Sequence, residues 1–188
     1  MKTYKIDKRV VKTKSNLKKA LIQLLAKKSI DDISIVELAE IATINRKTFY
    51  LHYQDVNSIL NEIKNNFSED ILKIVKDYDL SFAYLKDFIY NIYNTIINNP
   101  YIVGLLKNHL YGYEIVSLLE KVLIDSLSNK ALKSPLYSHD VNLNFVIQYH
   151  VYASVSMFYN WFILNNNDIS FREMIAKIYS VVINTYKR

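Results

Sequence analysis

The chain has 188 residues, close to one ordinary domain of ~100–200 residues with room for a small appended module. Hydrophobic types make up 51% and charged types 22%, a globular balance. Two glycines, two prolines and no cysteine exclude glycine-cradled phosphate loops, tight glycine hairpins, disulfides and thiolate metal sites. The charge is lopsided: residues 1–60 hold 12 Lys and Arg against 6 Asp and Glu, and the rest of the chain balances at 12 against 12. A positive field confined to one end attracts polyanions, either nucleic acid or an anionic membrane surface.

The scarcity of glycine and proline predicts an all-α fold, and the absence of cysteine suits a reducing, cytoplasmic setting. Lys2, Lys5, Lys8, Arg9, Lys12 and Lys14 read as a basic arm ahead of the first helix, able to track a phosphate backbone. The stripe Leu17, Ala20, Leu21, Leu24 and Leu25 has the spacing of one buried helix face. Ser34 followed by Glu37 is a capping-box pattern that opens a short second helix with Ile35, Leu38, Ala39 and Ala42 inward. Asn45 caps a third helix, Arg46 to His52, with Phe49 as its inward anchor. Asp55 caps a long fourth helix whose stripe runs Val56, Ile59, Leu60, Ile63, Phe67, Ile71, Ile74.

A fifth helix carries Phe82, Leu85, Phe88, Ile89, Ile92, Tyr93 and Ile96 and ends near Pro100. Ser126 to Ser138, rich in Ser, Asn and Lys, reads as a loop. The next helix covers about Asp140 to Leu164. The stretch from Val141 to Asn167 lacks every charged type, yet Asn142, Asn144, Gln148, His150, Ser154, Ser156 and Asn160 argue against a membrane span. Asn165 to Asn167 supply a turn, Ser170 and Glu173 a second capping box, and Phe171 to Tyr186 the last helix. The expected division is a helix-turn-helix unit with its basic arm at 1–55 and a helical bundle domain at 56–188.

Two short helices joined by Thr43-Ile44-Asn45, the second opening with Arg46, Lys47 and Thr48, have the layout of a helix-turn-helix. Arg and Lys donate to guanine O6 and N7, and threonine offers a methyl to thymine. Tyr50, His52 and Tyr53 are candidates for phosphate contacts, and Ser34 presents a helix N-terminus to the opposite strand. The alternative is an ordinary basic surface helix. His109 and His150 could each hold the polar group of a small apolar or aromatic ligand in a cavity built with Phe88, Tyr93, Tyr111 or Trp161, or could be hydrogen-bonded core histidines. No metal-ligand spacing, cofactor motif or catalytic motif is present, so no enzymatic activity is expected.

The run Glu37-Leu38-Ala39-Glu40-Ile41-Ala42, then Thr48-Phe49-Tyr50-Leu51-His52-Tyr53, resembles the DNA-binding domain of TetR-type transcriptional regulators over about residues 10–60. That resemblance implies an all-helical homodimer, a divergent C-terminal domain that often binds a small ligand, and pairing through the last two helices. It assigns Arg46, Lys47 and Thr48 to bases and Tyr50, His52 and Tyr53 to the backbone. A helix apolar on more than one side suits such pairing, with Tyr149, Tyr152, Ser156, Tyr159 and Ile163, and Ile175, Ile178 and Val182 of the last helix, as candidate interface residues. The expectation is a ligand-responsive repressor on a palindromic operator in double-stranded DNA. Two departures keep a second reading open. Thr43 stands where the family commonly has glycine, and Val56 where it commonly has lysine, so a co-regulator of the same fold with weak or no DNA binding is the alternative.

Overall fold

A computed structural model describes residues 8–134, 142–164 and 169–186. Among these residues the chain forms nine α-helices and a 3-10 turn at Ile30–Asp32, with no strand. Helix α1 (Lys8–Leu25) buries Leu17, Ala20, Leu21, Leu24 and Leu25, the stripe expected from their spacing. It packs on α2 (Ile35–Ile41) and on α4 (Val56–Asp77), with the five-residue α3 (Arg46–Tyr50) held beneath by Phe49, which is fully buried. The start of α1 at Lys8 corrects the expected arm: Lys8, Arg9, Lys12 and Lys14 belong to its first two turns, while Lys2 and Lys5 lie outside the described residues.

Short polar side chains set the helix starts. Ser34 Oγ accepts from Glu37 N at 3.2 Å, Asn45 Oδ1 from Lys47 N at 2.8 Å, and Asp55 Oδ1 from Ser58 N at 2.7 Å. The second capping box is complete, Ser170 N donating to Glu173 Oε2 at 2.6 Å and Glu173 N to Ser170 Oγ at 3.3 Å.

The remaining helices are α5 (Leu85–Ile97), α6 (Pro100–Leu106), α7 (Gly112–Leu132), α8 (Leu143–Leu164) and α9 (Phe171–Tyr186). Helices α5, α6 and α7 pack on α4, with α8 against α7, and α9 against α5 and α8. Tyr93 of α5 stacks on Phe158 of α8 at 4.3 Å between ring centres. The expected loop at Ser126 is corrected. Helix α7 runs on to Leu132 because Leu123, Leu127 and Ala131, four apart, keep one apolar face inward, and that packing overrides the weak helix propensity of the Ser and Asn between them. Residues 135–138 of that expected loop, and the Asn165 to Asn167 turn, lie outside the described residues.

The basic helices are latched to the bundle by ion pairs, hydrogen bonds and close packing. Glu62 of α4 accepts from Lys14 at 2.7 Å and Lys18 at 2.8 Å, both on α1. Ile30 N donates to Tyr111 Oη at 3.2 Å, and Asn108 Nδ2 donates to Leu25 O. Gly104 of α6 abuts Ile22 so closely that a Cβ there would lie 2.3 Å from Ile22 Cγ2. Lys130 Nζ of α7 donates to Val75 O at 2.8 Å and Lys76 O at 2.7 Å, closing the C-terminal end of α4. No helix among the described residues is long and apolar enough to cross a membrane.

Candidate functional site

The link between α2 and α3 is stiff. Ile44 N donates to Ala39 O at 2.9 Å and Thr43 N to Glu40 O at 3.0 Å, the paired bonds of a Schellman motif with Thr43 in its left-handed position at φ 56°. That backbone explains why glycine suits this place: a β-branched side chain there is strained. Ile44 tucks its side chain against the core, and Asn45 then caps α3.

Arg46 and Lys47 stand exposed at the start of α3, and Thr48 is half-buried. Tyr50 is 49% exposed, its ring edge-on to Phe49, and its hydroxyl accepts from Arg46 Nη2 at 3.3 Å. The Arg46 guanidinium carbon lies 5.7 Å from the Tyr50 ring centre, so the two side chains form one cationic-aromatic surface. Ser34 is exposed at the start of α2, and His52 is half-buried beyond the end of α3. Val36, in the first turn of α2, is 48% exposed although it fits an apolar run in the sequence.

Tyr53 requires a correction. It is only 5% exposed and its hydroxyl oxygen is enclosed, so it is unavailable to a phosphate. Burial first, and the neighbouring Glu62 carboxylate second, push its pKa above that of an ordinary tyrosine. The chain leaves the helix at Leu51, which turns Tyr53 under α4 rather than outward. Val56 is likewise buried, a core residue in this chain.

Of the charge in residues 1–60, Lys14, Lys18 and Lys28 are neutralised by Glu62 and Glu37. Lys8, Arg9, Lys12, Lys19, Lys27, Arg46 and Lys47 are exposed. Desolvation alone would raise the Glu62 carboxyl, but the two ammonium groups overcome it and hold its pKa below the ordinary value.

A second feature lies at the other end of α4. A cavity of about 200 Å³ opens between α5, α7 and α8, below the segment that follows α4. Phe88, Tyr93 and His150 line it, as the sequence suggested, and Tyr78 stacks on Phe88 at 4.2 Å over one wall. Burial lowers the His150 pKa, favouring the neutral imidazole. His109 and Tyr111 are corrected: His109 is exposed on the link before α7, and Tyr111 faces the 3-10 turn that follows α1, where it accepts from Ile30 N. Neither lines the cavity. Tyr78 and Ser154 are lining residues that the sequence reading missed, since only the crossing of three helices places them there.

The third feature is the outer side of α8. Phe145 is 72% exposed, Tyr149 55%, Tyr152 49% and Ile163 42%, and Ser156 is exposed between them. Their steps of three and four residues form one continuous stripe. Tyr159 is half-buried at its edge. Ile175 and Ile178 are corrected, being core residues of the chain itself at 2% and 1% exposure, and Val182 lines the cavity.

No family model matches the chain. Among curated proteins it is similar to the HTH-type dhaKLM operon transcriptional activator DhaS of Lactococcus lactis, 22% identical over 182 residues that cover 94% of this chain and 90% of that protein. Among solved structures it superposes on a TetR-family transcriptional regulator from Syntrophomonas wolfei with a TM-score of 0.67 at 14% identity, covering 92% of this chain and 94% of that one. The fatty acid degradation regulator FadR from Bacillus halodurans gives 0.62 at 12% identity, covering 94% and 97%. The dihydroxyacetone kinase operon activator DhaS gives 0.60 at 19% identity, covering 93% and 96%. The chain therefore has the fold of TetR-family transcriptional regulators, an N-terminal helix-turn-helix followed by a C-terminal helical domain.

Proposed function

We propose that this protein is a cytoplasmic, homodimeric transcriptional regulator that binds a two-fold symmetric operator and represses by occupying it. The observation that carries the reading is the outer face of α3, where Arg46, Lys47 and Tyr50 stand exposed at the end of a stiff turn, within the first third of the chain, which holds the net charge. Arg46, Lys47 and Thr48 read bases in the major groove, while Ser34, Tyr50 and His52 hold phosphates. Dimerisation is supported by the α8 stripe, where Tyr149, Tyr152, Ser156 and Ile163 are exposed and Tyr159 is half-buried at the edge. Two such heads must fit successive major grooves about 34 Å apart. The cavity beside the far end of α4 is the site of a small ligand that favours one head spacing over another.

The experiment is selection of bound sequences from random duplex DNA, followed by titration of the Lys47→Ala and Tyr50→Ala variants on the recovered site. Both variants fold and dimerise, since the side chains are exposed, and both lose about tenfold or more in affinity, with wild-type binding falling steeply with salt. Unchanged affinity in both rejects the assignment of α3. A second reading, activation as a co-regulator, draws on the similar protein described as an operon activator. Recovery of no preferred sequence, together with co-purification of a partner protein, selects that reading.

A further inference from the structure

We infer that the cavity takes an uncharged, mainly apolar molecule about the size of one substituted aromatic ring, whose single hydrogen-bond donor sits against Ser154. The inference rests on the ligand-responsive reading above and names the chemistry of its ligand. Size is the first ground. An apolar cavity of about 150 Å³ holds benzene. The 200 Å³ found here admits one ring and a few substituent atoms, and no extended acyl chain or multi-ring scaffold.

Charge is the second ground. Among the described residues, the wall contains no Asp, Glu, Lys or Arg, so an ion would enter without a counter-charge, at a large desolvation cost. His150 supplies no cation for a carboxylate, because burial favours its neutral form. Placement of the polar groups is the third ground. Ile89, Ile92, Leu123 and Leu127 make the wall apolar on α5 and α7, and the polar atoms gather on α8 at His150 and Ser154, with Tyr93 nearby on α5. The Ser154 hydroxyl donates to Val151 O at 3.1 Å and also hydrogen-bonds the Tyr93 side chain, which leaves one lone pair of its oxygen to accept. A ligand hydroxyl or N–H takes that remaining lone pair, whereas a ligand offering only acceptors leaves it unmet.

The test measures binding of four named probes to the full chain by calorimetry and by thermal shift, without DNA: p-cresol, toluene, 4-methylbenzoate and benzyltrimethylammonium. Expected is saturable binding of p-cresol at least as tight as that of toluene, and none of the two ions. Ser154→Ala weakens p-cresol about tenfold and leaves toluene unchanged. Ala131→Phe, which fills the space, removes both, and circular dichroism checks that it folds. Failure of both neutral probes to bind, binding of either ion as tight as p-cresol, or exclusion of p-cresol while toluene binds overturns the inference. Because no DNA is present, each of those results leaves the α3 assignment standing, and that assignment fails only in the operator titration.

Discussion

Replacing Thr43 by glycine should make the protein more stable. Thr43 holds φ 56° at the end of α2, where an L-residue pays about 1–2 kcal/mol for the left-handed backbone. Glycine removes that cost and adds about 0.4–1 kcal/mol of unfolded-state entropy, leaving a net gain of about 1 kcal/mol. Nothing else is lost, because the Thr43 side chain is exposed and the turn is closed by backbone bonds, Thr43 N to Glu40 O and Ile44 N to Ala39 O. For a chain of this length that gain raises the melting temperature by roughly 2–4 °C, measured at one fixed protein concentration because association shifts the midpoint. Thr43→Ala is the control. It keeps a Cβ in the same backbone and gains less than half as much. A glycine variant with an unchanged or lower midpoint, or an alanine variant equal to it, refutes the attribution of strain to this residue.

Gly104→Ala forces a methyl to within 2.3 Å of Ile22 Cγ2 and costs about 1–3 kcal/mol in urea unfolding. Adding Ile22→Ala recovers part of that loss, a non-additivity that a double-mutant cycle reads directly. Glu62→Gln strands Lys14 and Lys18 and lowers stability by about 1 kcal/mol at neutral pH. Since the folded Glu62 pKa lies below its ordinary value of 4.5, its contribution is complete above that pH and is lost as the pH falls through the lower folded value. Melting curves of wild type and variant therefore converge on acidification, and a gap that persists down to about pH 2 contradicts the pairing. Tyr152→Lys, on the exposed stripe of α8, yields a folded monomer in sedimentation, whereas an unchanged dimer moves the interface elsewhere.

Features that depend on neighbours along the chain were legible in the sequence. The α1 stripe, the Phe49 anchor and the caps at Ser34, Asn45 and Asp55 are set by helical spacing or by bonds spanning two or three residues. Features that depend on which helix lies opposite were not. Tyr50 and Tyr53 are three residues apart and chemically identical, yet one is half exposed and the other buried, because the helix stops between them and α4 closes over the second. Ile175 and Ile178 present the periodicity of either a core or an interface, and only the placement of α5 and α8 against α9 decides for the core. Tyr111 bonds the 3-10 turn at Ile30 whereas Tyr93 stacks on α8, which leaves only Tyr93 at the cavity. The run from Ser126 to Leu132 was misjudged through its polar composition, although Leu123, Leu127 and Ala131 already carried the helical interval.

The clamp of Lys130 on the last carbonyls of α4 fixes the C-terminal end of that helix. Its 22 residues span about 33 Å, from the fastened end beside the cavity to Val56 beneath α3. A tilt of about 5° about the fastening sweeps the Val56 end through about 3 Å, close to the 3.4 Å rise between successive bases of one strand. In the homodimer proposed above, two heads swinging in opposite senses would double that travel. A small displacement of the side chains around Tyr78 would thereby be magnified into a mismatch of one to two base steps between the two reading surfaces.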